Sequence, residues 1–346
     1  MNTKTKYKIL IALLIVVIIL NWATISELVK NSNNSVTDRN VEELPQIYNE
    51  TTVASEIYFC PQDECLDEML LWLDAAEEYI HCAIFKVGLL ELQEKMFQRS
   101  EEIEVKLITD DNYYEEVKHL DFAMHDNRSG LMHNKFCILD GKAVWTGSFN
   151  PTERGNYKNN NNVVFYQSQY LAENYEKEFQ EMWGGLFGKG ERNEKTEFII
   201  NGKRIENYFC PEDWCANKVI YALQDAEKSI YFMTFSFTHD DIGEQVLERA
   251  ADGVEVRGVF EKSQNNKYLE REKFLDAGLD VRWDGNSANM HHKVFIIDSK
   301  TVVTGSFNPT KNGDTKNDEN LLIIHDPVVA AKYIEEFEMV WAAAGE

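Results

Sequence analysis

The sequence predicts an α/β protein of two similar halves related by a pseudo-twofold axis, sharing one active site and preceded by an N-terminal membrane helix. Three observations carry that expectation. A cysteine-bearing block repeats at one offset, a His-x-Lys block repeats at a second, and a long apolar run follows three lysines near the N-terminus.

The repeats decide the fold class. Tyr58-Phe-Cys-Pro-Gln-Asp-Glu-Cys65 returns as Tyr208-Phe-Cys-Pro-Glu-Asp-Trp-Cys215, 150 residues later. Met132-His-Asn-Lys-Phe-Cys-Ile-Leu-Asp140 returns as Met290-His-His-Lys-Val-Phe-Ile-Ile-Asp298, and Thr146-Gly-Ser-Phe-Asn-Pro-Thr152 as Thr304-Gly-Ser-Phe-Asn-Pro-Thr310, both at an offset of 158. The second copy therefore carries a net insertion of eight residues between the blocks. Each copy closes on a Phe/Trp segment, Phe179 to Trp183 in the first and Phe337 to Trp341 in the second.

Within the first copy, residues 57–59, 67–79 and 80–85 read as strand, amphipathic helix and strand. Residues 205–209, 216–228 and 230–237 repeat the rhythm. A helical run over 242–251 then passes through Asp252-Gly253 into a strand over 254–260, as in an α/β layered fold. The divisions read as a membrane anchor or signal segment over 1–30, a linker over 31–52, and halves over 53–190 and 191–346. The polar, glycine-bearing stretch 188–195 marks the junction.

Lys4, Lys6 and Lys8 precede an unbroken apolar run over 9–20 that continues to Ile25. Such a segment inserts into a membrane, and no small-x-small cleavage pattern follows it. Lysines ahead of the run place the N-terminus in the cytoplasm and the remaining chain outside it, as a single-pass protein, or a secreted one if the segment is cleaved.

The chain carries 35 basic and 59 acidic residues, a formal charge of −24. Beyond residue 30 the balance is 31 against 58, or −27. Broad, sequence-independent tracking along nucleic acid needs many Lys and Arg contacts to phosphates, so this charge disfavours it. A small phosphate pocket is compatible with it.

Of the six cysteines, Cys60/Cys65 and Cys210/Cys215 form two similar pairs. Local disulfides, buried thiols or a four-thiolate metal site are the alternatives, although Cys-x-x-x-x-Cys is wider than the common zinc spacing. Cys82 and Cys137 sit in apolar strand-like stretches and read as core thiols.

The chemistry-bearing residues are His133, Lys135, His291 and Lys293. Residues two apart on a strand share a face, so each His and its Lys point the same way. Tight turns at Asp140-Gly141-Lys142 and Asp298-Ser299-Lys300 return the chain, which places Ser148/Asn150 and Ser306/Asn308 near their own His-x-Lys. One such pair on a strand is ordinarily structural; two copies with matched Gly-Ser-x-Asn are not.

These motifs resemble the phospholipase D superfamily, whose signature is His-x-Lys-x(4)-Asp followed by Gly-Ser-x-Asn. The resemblance extends over nearly everything after residue 53 and is greatest to the small nuclease-type members. It implies a metal-independent phosphodiesterase with no cofactor, in which both histidines converge on one phosphate. His133 is then the nucleophile that forms a phosphohistidine and His291 the acid that protonates the leaving oxygen. Lys135, Lys293, Asn150 and Asn308 hold the non-bridging oxygens. Asp140 and Asp298 read as scaffold residues, with Ser148 and Ser306 in support.

The resemblance also implies an acidic residue behind a catalytic imidazole. Glu319 fits, on the expectation that it backs the histidine of its own copy, and its counterpart in the first copy is Asn161. A carboxylate fixes the tautomer and favours imidazolium, whereas an amide does only the first, so the two histidines differ in pKa. The remaining histidines, His81, His119, His125, His239, His292 and His325, read as structural.

The motif fixes the reaction and not the substrate. The compact second-copy pattern from Met290 to Thr310 and the short spacing between motifs resemble the small nuclease-type members, which implies nucleic acid, DNA or RNA. The charge and the membrane segment point instead to phospholipid hydrolysis or transfer. Tyr113, Tyr114, Trp283 and Asn286 are candidate contacts to bases or headgroups. With both half-sites in one chain, a monomer suffices.

Overall fold

A computed structural model describes residues 48–51 and 53–345. The expected membrane helix and most of the expected linker lie outside the described residues. Among those described, no helix is long and apolar enough to cross a membrane.

The first sheet is mixed and has seven strands: β2 (Ser55–Cys60), β3 (Tyr79–Ile84), β4 (Glu104–Thr109), β5 (Ala123–His125), β6 (Lys135–Leu139), β7 (Ala143–Gly147) and β8 (Asn161–Tyr166), ordered β2-β8-β7-β6-β3-β4-β5. Helices α1 (Cys65–Ala75), α2 (Leu90–Ser100), α3 (Glu153–Tyr157) and α4 (Gln169–Trp183) belong with it.

The second sheet repeats the order with β10 (Lys203–Cys210), β16 (Glu319–His325), β15 (Thr301–Gly305), β14 (Lys293–Ile297), β11 (Ser229–Thr234), β12 (Glu255–Phe260) and β13 (Asp280–Trp283). Two further strands extend its edge, β9 (Glu197–Ile200) and β1 (Tyr48–Glu50), which pair in parallel. Residues 48–50, read from the sequence as linker, are thus a strand. Helices α5 (Cys215–Gln224), α6 (Asp240–Ala251), α7 (Arg271–Asp276), α8 (Lys311–Thr315) and α9 (Pro327–Ala343) complete the chain. Most of the eight-residue insertion lies between β12 and β13, where α7 sits.

Both sheets are covered on both faces, which is why β6 and β14 read as continuous apolar runs, buried at every position. The central core combines residues of both sheets with α4 and α9. Phe136 packs on Tyr175 of α4, which packs on Phe209 of the other sheet, with ring centroids 4.9 and 5.0 Å apart. Separate cores lie under α1 and α2 and under α5, α6 and α7. The Pro-Thr that ends each Gly-Ser-Phe-Asn block starts a short helix: Thr152 and Thr310 accept N–H bonds of 3.0 Å from Gly155 and Gly313.

Cys60–Cys65 and Cys210–Cys215 are disulfides. Cys82 and Cys137 are not free core thiols, as the sequence suggested, but a third disulfide. They face each other in register on β3 and β6, where side chains on neighbouring strands meet directly. Their counterparts, Phe232 and Phe295, are a packed aromatic pair 5.9 Å apart.

Candidate active site

His133 and His291 do not lie on the strands that carry their lysines. Each sits two residues ahead, on a segment that leaves its own half and bridges to the other. His133 donates its backbone N–H to Asp318 at 2.9 Å, and His291 donates to Asn160 at 2.9 Å. Asp318 and Asn160 are themselves counterparts, so the contacts between the halves are reciprocal.

This crossing corrects the expected pairing of side chains. Glu319 does not back His291 of its own copy; its Oε2 meets Nδ1 of His133 at 2.7 Å. Asn161 in turn meets Nδ1 of His291 at 2.9 Å, where the Ser148 carbonyl also accepts at 3.1 Å. Both partners of His291 Nδ1 are acceptors, so that nitrogen carries the hydrogen and Nε2 remains for chemistry. A carboxylate on His133 Nδ1 assigns the same tautomer there.

Each backing residue is held by the serine of its own Gly-Ser-x-Asn. Ser306 Oγ donates to Glu319 Oε2 at 2.7 Å and accepts from Asn320 N–H at 2.9 Å. Ser148 Oγ donates to Asn161 Oδ1 at 3.1 Å and accepts from Asn162 N–H at 3.0 Å. The glycines ahead of these serines have φ of +147° at Gly147 and +134° at Gly305, and a Cβ there would lie 2.2 and 2.4 Å from the carbonyls of Asn162 and Asn320. Only glycine allows the two strands to close so tightly. Asn317 adds a bond to Glu319 Oε1 at 3.2 Å.

The lysines are buried. Lys135 Nζ donates to its own His133 carbonyl at 2.6 Å and Lys293 Nζ to the His291 carbonyl at 2.8 Å. Phe85 and Phe235, equivalent residues just past β3 and β11, underlie both members of each motif. Phe85 lies 4.8 Å from the His133 ring and 5.0 Å from Lys135 Nζ; Phe235 lies 4.7 and 4.9 Å from His291 and Lys293. The sequence reading missed them as site residues, although their offset of 150 was the available signal.

Burial dominates the electrostatics. It pushes the Lys135 ammonium down to about 7 and, with Lys135 nearby, Lys293 well below its ordinary range. Burial and the two lysines also hold both imidazoles toward the neutral form. Burial lifts Glu319 to about 8 against the pull of Lys135. Burial thus disfavours the charge on every one of these groups, and the non-bridging oxygens of a phosphodiester would offset that cost by favouring the ammonium and imidazolium forms. Asn150 and Asn308 each keep a buried Oδ1 without a hydrogen-bond partner; it is their Nδ2 amides, not these oxygens, that can donate to a phosphate.

Asp140 and Asp298 stand apart from this chemistry. Asp140 takes backbone N–H bonds from Glu77, Glu78 and Tyr79, and Asp298 from Glu227, Lys228 and Ser229, at 2.7 to 3.0 Å. Burial alone would raise these carboxyls; the amide donors hold them below their usual range. Each pins the turn that enters β3 or β11.

A cleft of about 270 Å³ opens beside His291, lined by Lys86, Tyr113, Asn150, Arg154 and Asn289 with Phe85 and Phe235. Of the other candidate contacts, Tyr114 packs on His125 at 4.3 Å, Trp283 is covered by Arg271 at 4.3 Å, and Asn286 bonds to Asn160. His292 is fully buried between Asn162 and Glu336, at 3.2 and 2.9 Å. Asp110, Asp111 and Asp126 offer ligand atoms within 4.8 Å of one another, a grouping the sequence reading did not include. Two of the three are already engaged, Asp110 by Met132 N–H and Asp126 by Asp111 N–H.

A family model described as "Cardiolipin synthase, PLD-like domain" matches residues 72–183 and 219–341. A mitochondrial cardiolipin hydrolase of Chlamydomonas reinhardtii is 37% identical over 120 residues, 34% of this chain and 54% of that protein. The chain thus spans about half the length of that relative. A phospholipase D of Rickettsia prowazekii (strain Madrid E) is 30% identical over 139 residues, 40% of this chain and 68% of that protein. The structure of phosphatidylserine synthase from Haemophilus influenzae Rd KW20 aligns over 82% of this chain and 85% of its own with a TM-score of 0.62 at 15% identity, which shows a shared fold. The Nuc structure from Salmonella typhimurium aligns over 41% of this chain and 95% of its own, with 32% identity and a TM-score of 0.39.

Proposed function

The chain belongs to the phospholipase D-like family and is a phosphodiesterase, and on that premise we propose that it is a membrane-anchored nuclease working through a phosphohistidine. The observation that carries the mechanism is the crossed, reciprocal backing of the two histidines around two buried lysines. It supports two halves related by a pseudo-twofold axis and sharing one site.

His133 Nε2 attacks phosphorus and the bond to the leaving oxygen breaks. That oxygen takes a proton from Nε2 of His291, whose imidazolium form the bound phosphodiester anion favours against the effect of burial and the lysines. The phosphorylated His133 ring keeps its Nδ1 proton and is cationic, and the Glu319 carboxylate faces that charge. Asn161 offers His291 no such charge, which suits a group that must release its proton. Water, deprotonated by neutral His291, then displaces His133 Nε2, and the proton remains on His291. Lys135, Lys293, Asn150 and Asn308 hold the equatorial oxygens throughout.

Nucleic acid is the substrate that the cleft suits best. Among the described residues that line it there is no aliphatic side chain; Lys86 and Arg154 offer charge, Tyr113 a ring, and Asn150, Asn159 and Asn289 amides. Such a surface stacks bases and holds phosphates, and it offers little to acyl chains. Phospholipid is the second reading, favoured by the similarity to a cardiolipin hydrolase and a phospholipase D and by the −27 charge beyond residue 30. The three disulfides fit an extracytoplasmic domain behind the N-terminal segment.

The deciding experiment offers the full-length chain single-stranded DNA, RNA and cardiolipin-containing vesicles, with His133→Ala and His291→Ala as controls. Cleavage of nucleic acid that both substitutions abolish supports the nuclease. Turnover of lipid alone replaces it with the second reading, and wild-type activity in either variant removes the shared site.

A further inference from the structure

The two sides of the interface between the halves are equivalent in position but not in charge. Arg128 of the first half reaches the Asp318 carboxylate and the Lys316 carbonyl of the second. Its counterpart Asn286 reaches, in mirror fashion, the Asn160 amide oxygen at 2.6 Å and the Lys158 carbonyl at 2.9 Å. Each latch holds the residue next to one that backs a histidine. Asp318 N–H donates to Leu131 at 2.8 Å, its carbonyl accepts from His133, and Glu319 follows it; Asn160 N–H donates to Asn289 at 2.9 Å, its carbonyl accepts from His291, and Asn161 follows it. The ionic latch thus serves the carboxylate-backed histidine and the neutral latch the amide-backed one.

We infer that Arg128 and Asp318 form a positioning and charge-compensating pair for His133, and that the Arg128 guanidinium lets two adjacent buried acids, Asp318 and Glu319, stand behind one imidazole. This rests on the phosphohistidine reading above. The site is built around the arginine: a Cβ on Gly188 would lie 1.9 Å from Arg128 Nη1, and one on Gly130 would lie 2.6 Å from it. Gly188 N–H also binds Asp318 Oδ1.

The charges that face this pair are Asp126, 4.0 Å from Arg128 Nε, and Glu178 and Glu212, each raised in part by Asp318. Lys135 and Lys293 act on Glu319 from the active-site side. Burial lifts Asp318 to about 6 against the pull of Arg128; removing Arg128 removes that pull, so Asp318, Glu319 and His133 all bind protons more tightly. His133 must be neutral to attack, and the acid limb of the rate profile then moves to higher pH.

The test measures kcat against pH on bis(p-nitrophenyl) phosphate with the full-length chain, and the titration of His133 by ¹⁵N NMR. R128N should lower kcat by about 100-fold, the order expected of a displaced catalytic group. It should also move the acid limb and the His133 titration upward. R128N/D318N, which transplants the neutral latch, should return both to near their wild-type pH. N286A should lower kcat without moving the acid limb. An R128N variant whose limb and His133 titration stay in place, or a double variant still shifted, overturns the inference. If R128N fails to fold, the double variant still decides through its unshifted or shifted titration. Absence of any phosphohistidine in the active wild type is separate and removes the underlying mechanism, while the NMR titration continues to read the latch.

Discussion

Glu319 lies 2.7 Å from Nδ1 of His133, a residue of the opposite half. A carboxylate in that position would stabilise the cation formed when Nε2 is phosphorylated, which supports the proposal that His133 carries the covalent intermediate.

The covalent intermediate can be trapped. With p-nitrophenolate as leaving group little protonation is needed, so His291→Ala should still be phosphorylated while hydrolysis of the phosphoenzyme stalls for want of a base. Intact mass spectrometry of the full-length variant should show the adduct, and peptide mapping should place it on His133. An adduct on any other residue, or one formed by His133→Ala, reverses the assignment.

Glu319→Gln keeps the hydrogen bond and removes the charge. We expect kcat to fall by about 10²- to 10³-fold, the scale for loss of one preorganised transition-state contact. Asn161→Ala, which removes a neutral partner of His291, should cost less. Equal losses in the two variants would show that tautomer control, and not charge, is what Glu319 supplies.

The motif residues and the duplicated order of elements were legible in the sequence because they repeat at fixed offsets. What the repeats could not show is which half each side chain serves. His133 and Glu319 carry the same kind of label whether they meet within a copy or across it, and only the bridge from Met132 to Asp318 decides. The Cys82–Cys137 disulfide escaped notice for the opposite reason: its counterparts, Phe232 and Phe295, are not cysteines, so no repetition marked it. Residues 48–50 hold too few positions for a strand pattern, and their pairing with β9 depends on a partner about 150 residues away.

Lys135 should make the fold pH-sensitive. Its folded value near 7 lies below its ordinary 10.5, so between those limits the unfolded chain binds a proton that the folded chain does not. Stability gained from this group therefore rises with pH from about 7 to 10.5 and is least below 7, where the fold must bear the buried charge. Lys135→Met should stabilise by about 1–3 kcal/mol below pH 7, with the difference shrinking above it. Inorganic phosphate, which compensates the ammonium, should raise the wild-type Tm more at pH 6 than at pH 9 and leave the variant unmoved. Thermal unfolding across that range checks both signs.

The third disulfide closes a much longer loop than the other two. Cys82 and Cys137 are 55 positions apart, against 5 for Cys60 and Cys65. Chain entropy assigns the long loop about 4 kcal/mol and the short one about 2. The double variant C82A/C137A should therefore lose more stability in a denaturant titration than C60A/C65A. Because β6 carries Lys135 two residues before Cys137, the larger loss should come with reduced activity in the folded fraction. Equal costs would mean that packing at these sites, and not loop closure, sets the effect.

The cleft lip supplies the sharpest test of substrate. Arg154 is exposed and bonded to Asn289 at 3.3 Å, and Tyr113 packs against Phe85 at 5.0 Å. Neither touches the histidines, so Arg154→Ala and Tyr113→Ala should leave the phosphodiester step on bis(p-nitrophenyl) phosphate within about 3-fold of wild type. On an oligonucleotide each should raise KM, by about 10-fold for the loss of a stacked base or a phosphate contact worth 1–3 kcal/mol. Raising the salt concentration should weaken the wild type on that substrate more than Arg154→Ala, since one phosphate contact fewer flattens the salt slope. If both variants cleave oligonucleotides as the wild type does but lose turnover on cardiolipin vesicles, the same lip is a headgroup site and the enzyme acts on lipid.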